Sequence, residues 1–304
     1  MKNLALAMIV VALAAVTLAA WGLAAPAGLE KSMAHSASVA TFPKLPANIT
    51  SRHRFLIGVK CDFPPFGFID VKGKNDGYDV QIARRFAQLA FGKINRVSLT
   101  CVTTPSRIPT LISGRVDMII STLTWTQARA DQIDFSNPYY SATGRLLVPN
   151  DSSITSLADL KGKTIATTRG SIYGTWVRNC FKDSSLLEVD SPAAATLAVK
   201  NGQANTFMFD DAFLLGVATQ DPTLKLTKDK FLNIPWGIGL RKGDTAVGKW
   251  VNAAIAFMKK RDEFVGILKN NAPSRLVADF LDNVPRPKSN FQYPVGKDLT
   301  AICP

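Results

Sequence analysis

Arg129 is the residue around which a binding chemistry can be built. It lies three positions after Thr126, in a segment crowded with hydroxyls: Ser121, Thr122, Thr124 and Thr126 all follow the apolar run Val116–Ile120. Such a run after Gly114 suits a buried parallel strand. Thr126 suits the N-cap of a helical turn from Gln127 to Gln132. A guanidinium flanked by free backbone amides and hydroxyls is a carboxylate-binding device, with two parallel N–H···O bonds from the fork and more from the amides. In open α/β sheets ligands sit at the carboxyl ends of strands, where this segment falls. The same residues also suit an ordinary surface turn with an exposed Arg, because Ser and Thr are common turn residues.

The elements that must position this segment alternate between strand and helix. Phe55–Val59 reads as a strand and leads into a stiff loop, Phe63-Pro64-Pro65-Phe66. Gly77 and Asp79 open a helix with Val80, Ala83 and Ala87 on one stripe, widened by Ile82, Phe86 and Leu89. Val97–Val102 is a second strand. Ser106 is expected to cap a short helix with Ile108, Leu111 and Ile112 inward, closed by Gly114. After Tyr140 the pattern restarts. Leu146–Val148, Thr164–Thr168, Thr206–Phe209 and Ile234–Leu240 read as strands, and helices open at Gly170-Ser171, at Pro192 after Ser191 and at Asp210. Residues 245–282 read as helical, and the tail from Pro285 as irregular. This predicts an α/β chain with two parallel-type sheets flanked by helices. Lobe 1 would be 52–141 plus 237–285 and lobe 2 would be 142–236. The chain would cross twice between them, near Ser141–Thr143 and Pro235–Ile238.

The 304 residues carry 36 Lys and Arg against 23 Asp and Glu, a formal charge of +13. The basic residues are spread along the chain, with no basic block or nucleic-acid motif, so nucleic acid is not expected as a partner. A basic surface would instead attract acidic solutes or an acidic docking partner. Lys2 followed by the apolar run Leu4–Ala20, and then Ala25-Pro26-Ala27, predicts a secretory signal over 1–27 and an exported protein. The run is long enough that an uncleaved anchor stays open. Residues 28–51 read as a spacer and 286–304 as a C-terminal tail. The four cysteines, Cys61, Cys101, Cys180 and Cys303, allow three pairings. Cys61–Cys101 is favoured because both lie near the ends of strands expected to be neighbours, which leaves Cys180–Cys303 to tie the tail to the second lobe. With no CxxC and only His35 and His53, neither a metal nor a cofactor is expected.

The segment VDMIISTLTWTQARADQIDFSNPYY resembles the signature of the periplasmic amino-acid-binding proteins of ABC importers, bacterial solute-binding protein family 3. The match is dense over about 27 residues, Gly114 to Tyr140, with weaker matches from Phe55 to about Leu281. The resemblance implies the two-lobed periplasmic-binding-protein fold of type II, with a free amino acid in the cleft, ABC permease subunits as partners and a monomeric chain. An amino acid presents two charges, and desolvating either without a partner is costly. Arg129 and Thr124 would take the carboxylate, with Ser171 and the Ile172 amide from across the cleft. Ile172 departs from the Thr common at that position. Asp210 matches the family's acid for the ligand amine, with a carbonyl from Ser121 or Thr122. A plain helix N-cap for Asp210, or Asp211 in its place, stays open. Phe63 matches an aromatic cover, and Thr168 is grouped with it at the ligand side chain. Lys60 stands where neutral-amide binders can carry an acid. Arg107 sits in an Arg-Ile-Pro turn common among acidic-amino-acid binders. Together Lys60 and Arg107 point to glutamate or aspartate, unless both are solvated surface charges.

Two rivals follow from the same resemblance. A cyclohexadienyl dehydratase-like enzyme on this fold would need an acid–base pair in the cleft. The turn Arg169–Gly174 offers neither carboxylate nor His, and Asp62 is the one extra candidate, so no catalytic residue is assigned. A membrane-anchored amino-acid sensor would need the N-terminal segment uncleaved.

Overall fold

Apolar runs bounded by glycine and polar residues form the central strands of two sheets in the computed structural model, which describes residues 41–304. The signal-peptide expectation and the start of the spacer lie outside the described residues. Among the described residues no helix is long and apolar enough to cross a membrane.

The first sheet runs in the order Val97–Val102, Phe55–Lys60, Met118–Ile120, Gly239–Arg241, Ile133–Phe135. The first three strands are parallel. Gly239–Arg241 is antiparallel to both its neighbours. The second sheet runs Ser185–Val189, Thr164–Thr168, Thr206–Asp210, Tyr140–Pro149, Leu224–Leu226, and Phe231–Trp236 also pairs with Tyr140–Pro149. Its first three strands are parallel and Tyr140–Pro149 runs against them. Each sheet is therefore parallel at its core and antiparallel where the chain enters from the other sheet. The two passages lie side by side: Tyr140 pairs with Trp236, Ser141 with Pro235 and Ala142 with Ile234.

Helices cover the sheets because their apolar stripes need burial. Tyr78–Phe91 buries Val80, Ile82, Ala83, Phe86 and Ala87, and ends at Gly92 in the left-handed region. Trp250, from the helix Thr245–Lys260, packs its ring 5.2 Å from Phe55 and 5.4 Å from Phe86. Over the second sheet, Ser191 caps the helix Pro192–Lys200 by accepting from the Ala194 amide at 3.1 Å.

Several elements differ from the sequence expectation. The run Ile234–Leu240 is not one strand. It breaks at Gly237, where a Cβ would collide with the Tyr293 hydroxyl and the Phe135 ring. The helical stretch 245–282 breaks at Asp262, with φ +56°, and again at Pro273. The stiff loop after Lys60 carries a small three-stranded sheet, Asp62–Phe63, Gly67–Ile69 and Asn75–Asp76. Ser106 does not cap its helix; its hydroxyl accepts from the Thr103 amide at 2.9 Å. In that six-residue helix Ile112 points outward, 54% exposed, and Arg107 is buried beside Leu111 instead. A helix of under two turns has too narrow a face to bury three apolar residues, and the inward slot goes to positions four apart. The last residues of the expected spacer also pack: Ile49, in the helix Ala47–Thr50, is fully buried, and Phe42 lies 5.6 Å from Trp250.

Candidate ligand-binding cleft

The carboxyl ends of the parallel strands of both sheets converge on one small crevice. Thr104, Arg107, Thr122 and Thr124 line it from the first sheet, and Ser171, Ile172, Tyr173, Phe209 and Asp210 from the second. Convergence follows from topology, since the loops leaving parallel strands emerge at one end of a sheet.

Arg129 stands beside this cavity. Thr126 caps its short helix, accepting from the Arg129 amide at 3.2 Å. The guanidinium donates to the Thr124 carbonyl at 2.6 Å and, across the cleft, to the Gly170 carbonyl at 2.9 Å. Gly170 has φ +76°, and a Cβ there would lie 3.1 Å from the Pro105 Cα. Glycine is what lets the two sides approach this closely. Burial and the nearby Arg107 lower the Arg129 pKa, while Asp210 opposes them.

Arg107 is buried, not a solvated surface charge. Its Nη1 donates to the Ser121 carbonyl at 2.8 Å and the Thr122 carbonyl at 3.0 Å. The Thr122 amide in turn donates to Asp79 at 3.0 Å and to the Tyr139 hydroxyl at 3.1 Å. Thr122 needs that support because its φ is +49°, a conformation costly for a β-branched residue. The two carbonyls expected to face a ligand amine are thus already engaged by Arg107. Burial lowers the Arg107 pKa, and Asp210 is the first group opposing it.

Asp79 went unassigned in the sequence. Burial pushes its carboxyl up to about 7, and one of its oxygens has no partner among the described residues. A signal existed: Asp79 is three and seven positions before Ile82 and Phe86, which puts a carboxylate on an apolar stripe.

Lys60 sits at the end of its strand, fully buried. Its Nζ donates to the Thr104 hydroxyl at 2.9 Å and pairs with Asp62 at 2.8 Å. Burial lowers it to about 8, against the raising effect of Asp62. Lys60 is not among the residues lining the cavity, and its charge is compensated by Asp62 at its side. Asp62, the one spare acid for a catalytic reading, is used in this pair.

On the second side Asp210 accepts from the Tyr173 hydroxyl at 2.8 Å. Its side chain caps no helix amide. Burial pushes it up to about 7, and Asp211 adds to that while Arg107 and Arg129 oppose it. Asp211 points elsewhere: it accepts from the Thr143 amide at 3.2 Å and hydroxyl at 2.7 Å, on the crossing strand. Ser171 precedes the helix Ile172–Cys180, whose first amides lack intrahelical partners. The Ser171 hydroxyl lies 3.1 Å from that of Thr167. The hydroxyls of Ser121 and Thr168 are buried without partners among the described residues, which is uncommon for polar groups outside functional sites.

Phe63 is buried in an aromatic cluster, 5.7 Å from Phe209, 5.2 Å from Phe213 and 5.9 Å from Trp236. It does not line the cavity; Phe209 and Tyr173 are the aromatics that do. Both expected disulfides are formed. Cys61–Cys101 joins neighbouring strand ends and Cys180–Cys303 joins a helix to the tail.

Residues 55–271 match the family model of bacterial extracellular solute-binding proteins, family 3. The chain belongs to this family, so the family reading of the Gly114–Tyr140 motif stands. It is 38% identical over 214 residues to the glutamine-binding protein of Geobacillus stearothermophilus, covering 70% of this chain and 80% of that one. It is 33% identical over 225 residues to the ABC transporter glutamine-binding protein GlnH of Bacillus subtilis, covering 73% and 82%. Among solved structures it resembles the cysteine-binding protein of Campylobacter jejuni, with TM-score 0.72 and 28% identity over 75% of this chain and 92% of that one. The fold is the two-lobed type II arrangement.

Proposed function

We propose that this protein captures a polar amino acid outside the cytoplasm and hands it to an ABC permease, as a secreted monomer whose lobes, 52–141 plus 237–285 and 142–236, close on the ligand. The observation that carries this reading is the placing of two guanidiniums, Arg107 and Arg129, and of Asp210, a carboxylate with a hydroxyl partner but no salt bridge among the described residues, where the strand ends of the two sheets meet. Opposite charges held apart in a buried crevice fit a zwitterion, and do so on pre-formed groups. Arg129, Thr124 and the amides at Ser171 and Ile172 would take the α-carboxylate. Asp210 would take the ammonium. Arg107 uses one nitrogen on the Ser121 and Thr122 carbonyls, and its fork leaves a donor for a side-chain oxygen. With Thr168, that favours glutamate or aspartate. Lys60 no longer argues for an acidic ligand, because Asp62 balances it.

Glutamine is the second reading, favoured by the two glutamine-binding relatives. An amide oxygen accepts from Arg107 as a carboxylate does, without its charge. Calorimetry across the amino acids at neutral pH tests both readings. Heat with glutamate or aspartate and none with glutamine supports the first, the reverse supports the second, and no heat with any amino acid rejects capture.

A further inference from the structure

The tail leaves the family-matched segment at residue 271 and ends on the opposite side of the molecule's cleft from where it starts. Beyond Leu281–Asn283 it first lies against the first-sheet side. The Tyr293 ring stacks on Trp125 at 5.5 Å, and its hydroxyl donates to the Ser136 carbonyl at 2.6 Å. A few residues later the chain has crossed to the helix Ile172–Cys180 of the second side. Trp176 Nε1 donates to the Ile302 carbonyl at 2.7 Å and Asn179 Nδ2 to the Thr300 carbonyl at 2.9 Å. Cys180 binds Cys303 covalently. Leu299 is only 7% exposed. Ile172 and Tyr173, in the first turn of that helix, line the ligand cavity. Asp298 and Thr300 line the outer chamber together with Arg129 and Gly170.

We propose that residues 293–303 are a strap: a third link between the two sides of the cleft that restrains their parting and favours the closed arrangement. This rests on the reading that a ligand is held between those sides. The two crossing strands, paired side by side from Tyr140 to Ala142 and Ile234 to Trp236, provide the other links. The strap is fixed at both ends, by an aromatic stack on one side and a disulfide on the other. Between the anchors the chain is folded up. The Lys297 amide donates to the Pro294 carbonyl at 3.0 Å, and Gly296 has φ +77°. Ten residue steps from Tyr293 to Cys303 reach roughly 35 Å when fully extended. Parting of the sides would therefore draw this turn straight and then stop, unless an anchor gives way. A restraint that favours the closed state slows ligand release and tightens apparent affinity by the fraction of closed molecules it adds.

The test uses variants that leave Cys61–Cys101 intact. Cys180→Ser with Cys303→Ser removes the covalent anchor, and Tyr293→Ala removes the aromatic one. Each is expected to raise the radius of gyration of the amino-acid-free protein in X-ray scattering, and to speed amino-acid release by about tenfold. Combining all three substitutions should add nothing, since a strap already loose at one end restrains nothing. Additive effects, or unchanged scattering in both variants, overturn the strap. Should the cysteine variant fail to fold, Tyr293→Ala decides alone. The scattering arm needs no ligand, so absence of amino-acid binding would reject the capture reading and leave the strap to be judged on dimensions.

Discussion

On the first-sheet side of the cleft, buried charges hold the backbone that faces the cavity. Arg107 grips the Ser121 and Thr122 carbonyls, Asp79 grips the Thr122 amide, and Lys60 is locked between Asp62 and Thr104. On the second side the polar groups are fewer and lighter: Asp210 on the Tyr173 hydroxyl, Ser171 beside Thr167, and the open amides of one helix. In the proposed capture the first side would be built before any ligand arrives, with Thr122 kept in a strained conformation. The second side would present groups that act only when the two halves meet. Such an arrangement lets a solute dock on one half and stabilise closure through its contacts with the other.

The sharpest way to break this contrast is Arg129→Ala. Arg129 is the one side chain of the proposed ligand set that donates to carbonyls on both sides. Its loss would leave a buried carboxylate unpaired, and affinity measured by calorimetry should fall by at least about a hundredfold. A loss under about threefold would place the carboxylate elsewhere.

Asp210→Asn comes next, with an expected loss of a few tens of fold and a change in pH dependence. Burial holds Asp210 at about 7, above the ordinary carboxylate value of about 4. A bound ammonium favours the charged form, so affinity should weaken as pH falls through about 7 and recover above it. The variant should lose that slope. In the ligand-free protein the sign reverses. Between the two values the folded chain binds more protons than the unfolded one, so the raised pKa values of Asp79 and Asp210 contribute stability that declines as pH rises from about 4 to about 7. A melting temperature that rises across that window would contradict this assignment.

Asp79→Ala probes the first side alone. It removes the acceptor of the Thr122 amide and should lower unfolding free energy by about 1–3 kcal/mol. Ligand affinity should drop by less than with Arg129→Ala, because Asp79 positions backbone and does not line the cavity. Chemical denaturation beside calorimetry separates the two effects; equal losses in both would merge the roles that the comparison keeps apart.

Much of the scaffold was legible locally. Thr126 as a cap, Pro192 after Ser191, the parallel runs Phe55–Val59 and Thr164–Thr168 and the two disulfides all rest on near-neighbour rules or on strand adjacency. The site was legible in part. Thr124, Ser171 and Asp210 do line one crevice, and Arg129 lines the adjoining chamber that shares Ser171 with it, whereas Lys60 and Phe63 line neither. Asp79, Thr104, Tyr173 and Phe209 were not singled out, since each belongs to an element whose pattern looks ordinary by itself. Arg107 was noticed, but its burial was not legible, because a helix of six residues has no amphipathic period long enough to show which face turns inward.

The chain's order of residues determined most of the strands and helices, because caps, turns and apolar periods act over a few positions of backbone. It did not determine the break at Gly237, where long-range packing intervened, or those at Asp262 and Pro273. It determined the family as well, through one dense stretch around Arg129. Only the tertiary structure decided which charges answer one another: Lys60 with Asp62, Arg107 with two carbonyls, and Asp210 left facing the cavity. Electrostatic partnership falls off with distance in space and takes no account of distance along the chain, so residues 43 to 41 positions apart, such as Asp79 with Thr122 and Arg129 with Gly170, found one another only once both sheets had formed.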